Sequence, residues 1–92
     1  MKIRYKARAI RDIKAIHDYI AQYDPAAAQR VLQRIEHSIN RLLILPFSGR
    51  PGAVAGTRII VVPGLPYIAI YRVREENVDI VAVLHTARRR RS

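Results

Sequence analysis

The sequence predicts a two-layer α+β domain in which a hairpin of two helices covers one face of an antiparallel β-sheet. Apolar residues recur at helical spacing over residues 7–43 and at strand-like spacing over residues 57–85. Between them lies a loop, residues 46–56, with two prolines and three glycines. The expected order is β-α-α-β-β-β, in one domain over residues 1–87 followed by a basic C-terminal tail, residues 88–92.

The N-terminal half predicts one short strand and two helices. Ile3 and Tyr5 alternate with basic residues, as in a strand with one buried face. Asp24-Pro25 combines a good N-cap with the residue that suits the first helical position, so a second helix is expected over about residues 25–43. The apolar stripe of the first helix is Ile10, Ile13, Ile16 and Ile20. That of the second helix is Ala28, Val31, Leu32, Ile35, Ile39, Leu42 and Leu43.

The C-terminal half predicts three strands. The first, over residues 57–62, is rich in β-branched residues. The next two, over residues 67–73 and 78–85, form a hairpin across the turn at 74–77. The last seven residues, 86–92, include four consecutive arginines and are expected to fray.

Composition narrows the classes of function. The chain has 92 residues, with 17 Lys and Arg against 7 Asp and Glu, a formal net charge of +10. The electrostatic field of a protein with this positive charge attracts polyanions, whether nucleic acid, ribosome or an acidic protein. The absence of cysteine excludes disulfides, a thiol nucleophile and thiolate metal sites, and fits a reducing cytoplasm. We expect no membrane span, because no apolar run approaches the length that one requires.

Metal and cofactor chemistry finds no support in the spacing of the polar residues. Neither the histidines nor the serines fall in a metal-ligand or nucleophile pattern. The glycines of the loop precede a strand and not a helix, which is the wrong context for a phosphate-binding motif. We therefore expect no metal and no cofactor. The residues considered are His17, His37, His85, Ser38, Ser48 and Ser92.

Several arginines and tyrosines lie where they are able to meet a partner. The arginines are at loop and strand ends, where positioned cations hold phosphate or carboxylate groups, although a solvated rim gives the same pattern. The tyrosines lie on a strand, either as half-buried sheet residues or as stacking surfaces. These candidates are Arg50, Arg58, Arg72, Arg88, Tyr67 and Tyr71.

Four short motifs follow one another in a fixed order behind the helical hairpin. They are Gly49-Arg50-Pro51, Gly56-Thr57-Arg58, Tyr71-Arg72-Val73 and His85-Thr86-Ala87-Arg88. In this order and over nearly the whole chain, the sequence resembles the RelE/ParE family of toxins from type II toxin–antitoxin systems. The resemblance implies an acidic antitoxin as the partner.

Within that family the sequence looks closer to ParE-like members, which bind and poison DNA gyrase without chemistry of their own. The resemblance implies that target or antitoxin binding involves residues in and beside the motifs, with the helical hairpin as a second contact surface and a ParD-like antitoxin as the partner. These residues are Arg50, Arg58, Tyr67, Tyr71, Arg72, His85, Arg88 and Arg89.

Two other functions stay open. RelE-like members cleave mRNA on the ribosome, which here would place Arg58 and Arg88 on the phosphate and His85 in proton transfer. Against this, no tyrosine follows Tyr71, so the acid/base set of such a nuclease is incomplete. The third function is a nucleic-acid-binding module, favoured by the net charge and the arginine tail, whose affinity would be salt-sensitive and independent of base sequence.

Overall fold

The computed structural model describes residues 1–89 and confirms the α+β class, with a helical hairpin on one face of a sheet. The elements are β1 (Lys2–Tyr5), α1 (Ala7–Ala21), α2 (Pro25–Asn40), β2 (Arg50–Pro51), β3 (Arg58–Val61), β4 (Tyr67–Val73), β5 (Asn77–His85) and α3 (Thr86–Arg89). A 3₁₀ turn, Arg41–Leu43, follows α2, so the second helix ends earlier than its apolar stripe suggests.

The sheet is mixed, with strand order β1-β5-β4-β3-β2. The expectation of an entirely antiparallel sheet is therefore wrong for one strand, because β1 pairs with β5 in parallel. An alternating pattern predicts a strand but not its neighbour, and β1 takes the edge of β5 that the β3–β4–β5 meander leaves free. The two-residue strand β2 was not expected; it lies within the loop and pairs with the start of β3.

The first helix contacts the sheet through an apolar stripe that differs from the predicted one at its first member: Ala9 takes the place of Ile10. Ala9 is fully buried, whereas Ile10 is 55% exposed. Ile13 and Ile16 pack partly buried against the core, as expected. The small Ala9 side chain lets the helix approach the sheet closely, and Ile10, about 100° further round the helix, then points away.

The main core lies between the helices and one face of the sheet. Its largest members from the helices are Ile35 and Ile39, and the sheet contributes Tyr71 and Ile80 among others, all with essentially no exposed surface. Burial of such side chains is the main favourable contribution to folding. The core holds the apolar faces of both layers together.

The sheet face away from the helices is apolar at its centre and charged at one end. Ile59, Ile68 and Ala82 are buried there. Near the start of β5, Asp79 is only 7% exposed, and the residues paired with it in the neighbouring strands are Arg4 and Arg72. The two arginines lie on the same face of the sheet as the carboxylate of Asp79, and its negative charge offsets part of the repulsion between them.

The start of the second helix follows its sequence. The Oδ1 atom of Asp24 accepts a hydrogen bond from the backbone nitrogen of Ala27 at 3.1 Å, and Pro25 occupies the first helical position. One of the four N–H groups that a helix start leaves unpaired is thereby satisfied.

We expect Asp24→Ala to lower the free energy of unfolding by about 1 kcal/mol, the usual contribution of such a cap. Urea denaturation followed by circular dichroism measures the change. Gln29→Ala, at an exposed position inside the same helix, is the control and should leave stability nearly unchanged. Equal effects of the two substitutions would contradict a capping role for Asp24.

The C-terminal segment has more regular secondary structure than expected as far as Arg89, the last residue described. Residues Thr86–Arg89 form the short helix α3 instead of fraying, and the backbone nitrogen of Thr86 donates to the carbonyl of Pro66 at 2.9 Å. This helix crosses the expected boundary between domain and tail. The remainder of the predicted tail, residues 90–92, lies outside the described residues.

Candidate functional site

The loop between α2 and β3 is held against the sheet by the hydroxyl of a buried tyrosine. Tyr71, on β4, has no exposed surface, and its Oη atom donates to the carbonyl of Pro46 at 2.8 Å. The same oxygen accepts from the backbone nitrogen of Gly49 at 2.9 Å. Two backbone groups that would otherwise be buried without partners are satisfied by one side chain.

Arg58, at the start of β3, holds the same loop from the neighbouring strand. Its Nη1 atom donates to the carbonyl oxygen of Gly49 at 2.8 Å and to that of Phe47 at 3.2 Å. The guanidinium carbon lies 5.1 Å from the centroid of the Phe47 ring, within cation–π range. The cation is thus engaged within its own chain.

Arg72 and Thr57 hold the second half of the loop. The Nη1 atom of Arg72 donates to the carbonyl of Ala55 at 3.1 Å, and the hydroxyl of Thr57 donates to the carbonyl of Val54. Arg50 differs from these residues, because it pairs through its backbone in β2 and its side chain is exposed. We call the set Arg58, Tyr71 and Arg72 the loop anchor.

A groove lies at the opposite end of β4, between α1 and the ends of β4 and β5. It has a volume of about 630 Å³. Tyr67 and His85 stand on adjacent strands on one side, with ring centroids 5.6 Å apart and an edge-on angle of 88°. Burial raises the pKa of Tyr67, and Tyr19 adds to the rise, so the phenol stays protonated at neutral pH. The lining residues are Asp12, Ala15, Ile16, Tyr19, Tyr67, Val83, His85 and Ala87.

Asp12 fixes the helix side of this groove to the sheet. The strand β1 pairs with β5 only as far as Ile80. Further along β5, the backbone nitrogen of Val83 donates to the Oδ2 atom of Asp12 at 3.0 Å. On the other side, the Nδ1 atom of His85 accepts from the backbone nitrogen of Ala87 at 3.1 Å, which orients the imidazole ring at the start of α3. The groove is therefore a formed feature of the fold and not a gap between loose elements.

The predicted site residues fall into two separate groups. Arg58, Tyr71 and Arg72 form the loop anchor, and Tyr67 and His85 face the groove. Tyr67 and Tyr71 are four residues apart on β4, which corresponds to roughly 13 Å along a strand. Three candidates remain: Arg50 is exposed on β2, and the backbones of Arg88 and Arg89 belong to α3, next to the groove residue Ala87. That any of these residues contacts a target or antitoxin stays a prediction.

Sequence reasoning overlooked the helix side of the groove. Asp12, Ala15, Ile16 and Tyr19 recur at three- and four-residue steps, which places them on one face of α1. That spacing was available as a signal. Ile16 also belongs to the isoleucine stripe of α1, so the sequence pattern indicated a core contact for this residue and not a groove.

The structure offers no metal centre within the part of the chain that it describes. Among residues 1–89, no three His, Asp or Glu side chains come together as a metal site would require. His17 instead lies 3.1 Å from the carboxylate of its neighbour Asp18. No helix in this range is long and apolar enough to cross a membrane.

These features define a class of protein: a small basic α+β domain whose open sheet carries an anchored loop at one end and an apolar groove beside a short C-terminal helix at the other. A sequence model of the family described as "ParE toxin of type II toxin-antitoxin system, parDE" matches residues 3–90. The chain belongs to this family of toxins, which confirms the resemblance to the RelE/ParE group.

Relatives with known names agree with the family. The chain is 42% identical over 84 residues to toxin Y4kP of Sinorhizobium fredii, a match that covers 91% of this chain and 86% of that protein. It is 40% identical over 81 residues to toxin RelE2 of Caulobacter vibrioides, covering 88% and 90% of the two chains. A solved structure of the chromosomal ParDE toxin–antitoxin system from P. aeruginosa superposes with a TM-score of 0.82 at 26% identity, covering 92% of this chain and 95% of that one.

Proposed function

We propose that this toxin inhibits DNA gyrase by direct binding, without chemistry of its own, and that an acidic ParD-like antitoxin neutralises it. One observation carries the choice of binding over catalysis. Arg58 pairs with Tyr71 in the sheet, so the side chains of Arg58 and Arg72 leave opposite faces, and each donates to a loop carbonyl, at 2.8 Å and 3.1 Å; the two cations therefore do not converge on one substrate phosphate. A phosphate-cleaving site requires such cations to face the scissile group.

The groove suits the proposed antitoxin. Its walls include the apolar parts of Ile16, Tyr19 and Tyr67, which fit the apolar face of a helix laid into them. The chain as a whole carries a net charge of +10, which attracts an acidic segment and speeds its association. The solved relative from P. aeruginosa belongs to a ParDE system, which supports a partner of this kind.

A second candidate, mRNA cleavage on the ribosome, is supported by the contact between Tyr67 and His85. No tyrosine follows Tyr71 in sequence, but the fold brings the earlier Tyr67 within 5.6 Å of His85, ring centre to ring centre. A protonated tyrosine beside a histidine is able to donate a proton to a leaving group. Arg58, the cation assigned to the phosphate in this alternative, is already bonded to the loop.

The test is a supercoiling and DNA-cleavage assay with purified gyrase, with the toxin alone and then with the antitoxin encoded beside it. We expect loss of supercoiling with accumulation of cleaved DNA, reversed by the antitoxin. Unaffected gyrase together with cleaved mRNA on translating ribosomes would replace the proposal by the second candidate.

The C-terminal arginines give a more specific prediction in the same assay. We expect Arg88→Ala/Arg89→Ala to weaken gyrase inhibition by about tenfold, because two cations near an acidic partner surface each contribute roughly 1 kcal/mol or less. Lys2→Ala/Lys6→Ala removes the same charge at exposed positions of the N-terminus and is the control. An equal loss in both variants would assign the effect to net charge and not to the C-terminal segment.

A further inference from the structure

A run of large apolar side chains faces solvent at the end of the 3₁₀ turn that follows α2. Over residues 43–47, which we call the apolar loop, Leu43, Ile44, Leu45 and Phe47 are 44%, 80%, 54% and 63% exposed. The only other residue in the run, Pro46, is half-buried. Single exposed apolar residues are ordinary, but a contiguous group of this kind marks an interaction surface.

The backbone of the apolar loop is fixed before any partner arrives. The nitrogens of Ile44 and Leu45 donate to the carbonyl of Arg41 at 3.1 Å and 3.0 Å, and the carbonyl of Leu45 accepts from Ser48 at 3.1 Å. The carbonyls of Pro46 and Phe47 accept from the loop anchor. A loop held in this way loses little conformational entropy when it binds, so its apolar area contributes more fully to affinity.

The charge around the apolar loop identifies the chemistry of its partner. Residues 37–74 contain no Asp or Glu, although the chain has seven of them. The same stretch contains five arginines, of which Arg41 and Arg50 are exposed on either side of the apolar loop. The complementary surface is an apolar cleft rimmed by carboxylates. Nucleic acid offers the negative charge, but it takes up large apolar side chains only as wedges between base steps that must first be unstacked, which suits a run of four such side chains less well than a protein cleft does.

The apolar loop is separate from the groove. The loop is anchored to Tyr71, near one end of β4, whereas the groove is lined by Tyr67 at the other end. A partner seated in the groove therefore leaves room for a different contact at the apolar loop.

We infer that residues 43–47 are the surface with which this toxin enters an apolar, carboxylate-rimmed cleft on the protein that it inhibits. The inference rests on the proposed function, since it assumes a toxin that acts by binding a protein. It adds a location and a chemistry: Ile44 and Leu45 fill the cleft, and the flanking arginines meet its acidic rim.

The experiment compares Ile44→Glu and Ile44→Lys with the wild type in growth arrest after induction and in gyrase inhibition. Both variants remove the same apolar side chain, whose burial corresponds to about tenfold to a hundredfold in affinity. Because the cleft is acidic, Ile44→Glu should lose at least about tenfold more than Ile44→Lys. Val61→Glu, at an exposed β-branched residue on β3 outside the helical hairpin, is the matched control and should stay toxic. Thermal unfolding and binding of the encoded antitoxin establish that each variant is folded.

The outcomes separate the two proposals. If the wild type arrests growth without affecting gyrase, the gyrase target is wrong and growth arrest alone decides the role of the apolar loop. Full toxicity of Ile44→Glu would overturn the inference, as would loss of antitoxin binding with toxicity kept. Ile44-dependent binding to phosphatidylglycerol vesicles or to duplex DNA, in place of a protein, would also overturn it. A wild type that neither arrests growth nor inhibits gyrase would overturn both proposals.

Discussion

Tyr71→Phe is expected to lower the free energy of unfolding by about 2 kcal/mol, although it removes a single oxygen atom. That oxygen accepts from the nitrogen of Gly49 and donates to the carbonyl of Pro46, at 2.9 Å and 2.8 Å. In the variant, the buried backbone N–H group of Gly49 has lost its hydrogen-bond acceptor, and leaving such a group unpaired costs about 1–3 kcal/mol. Urea denaturation measures the loss, and faster hydrogen exchange at the Gly49 amide locates it.

Tyr23→Phe provides the control, because Tyr23 is 75% exposed and its hydroxyl is solvated. It should change the free energy of unfolding by less than about 0.5 kcal/mol. If Tyr71→Phe proved equally mild and left exchange at Gly49 unchanged, the hydroxyl would not be holding the loop. The apolar loop would then lack its main attachment to the sheet.

Gly49→Ala is expected to destabilise the protein by about 3 kcal/mol, because the loop passes too close to the sheet for a methyl group. An added Cβ would lie 2.6 Å from the Oη atom of Tyr71 and 2.8 Å from the carbonyl oxygen of Ile59. The second atom belongs to β3 and is fixed by strand pairing. Thermal unfolding should show a decrease in Tm of about 15 °C for a domain of this size.

Gly64→Ala distinguishes this packing effect from a general cost of replacing glycine. Gly64 has a φ of +75°, which disfavours alanine by roughly 1 kcal/mol, and its nearest neighbour is the Nη2 atom of Arg34, at the end of a flexible side chain. We therefore expect Gly49→Ala to be the more harmful substitution. The reverse order would contradict the close packing of the loop. If the apolar loop contacts the target, Gly49→Ala should also reduce toxicity by more than its effect on stability explains.

Local sequence signals predicted most elements, because each depends on neighbouring residues alone. Asp24 and Pro25 fixed the start of α2, and the strand predicted over residues 67–73 matches β4 at both ends. Signals that depend on distant partners failed. The parallel pairing of β1 with β5 and the exposure of Ile10 both result from how the layers meet, which periodicity does not encode.

The candidate site shows the same limit. The motifs singled out Arg58, Tyr71 and Arg72 as contacts for a partner, which stays a prediction, whereas the structure shows that these side chains hold a loop of their own chain. The contact between Tyr67 and His85 depends on the register of β4 and β5, which contains an irregularity between Ile70 and Tyr71. A one-residue shift reverses the face of every side chain, so such a contact is inaccessible to sequence patterns.

The pairing of β1 with β5 has a consequence for when the toxin becomes complete during synthesis. Lys2 pairs with Asn77 and Tyr5 with Ile80, so β1 pairs with a strand that is synthesised about 75 residues later. Until β5 emerges, β1 has no edge to join, and contacts so distant in sequence form slowly. A nascent chain interrupted before residue 77 therefore lacks the strand that joins β1 to β4, and its sheet stays incomplete. The order of translation therefore delays the finished fold of the toxin until β5 has been made.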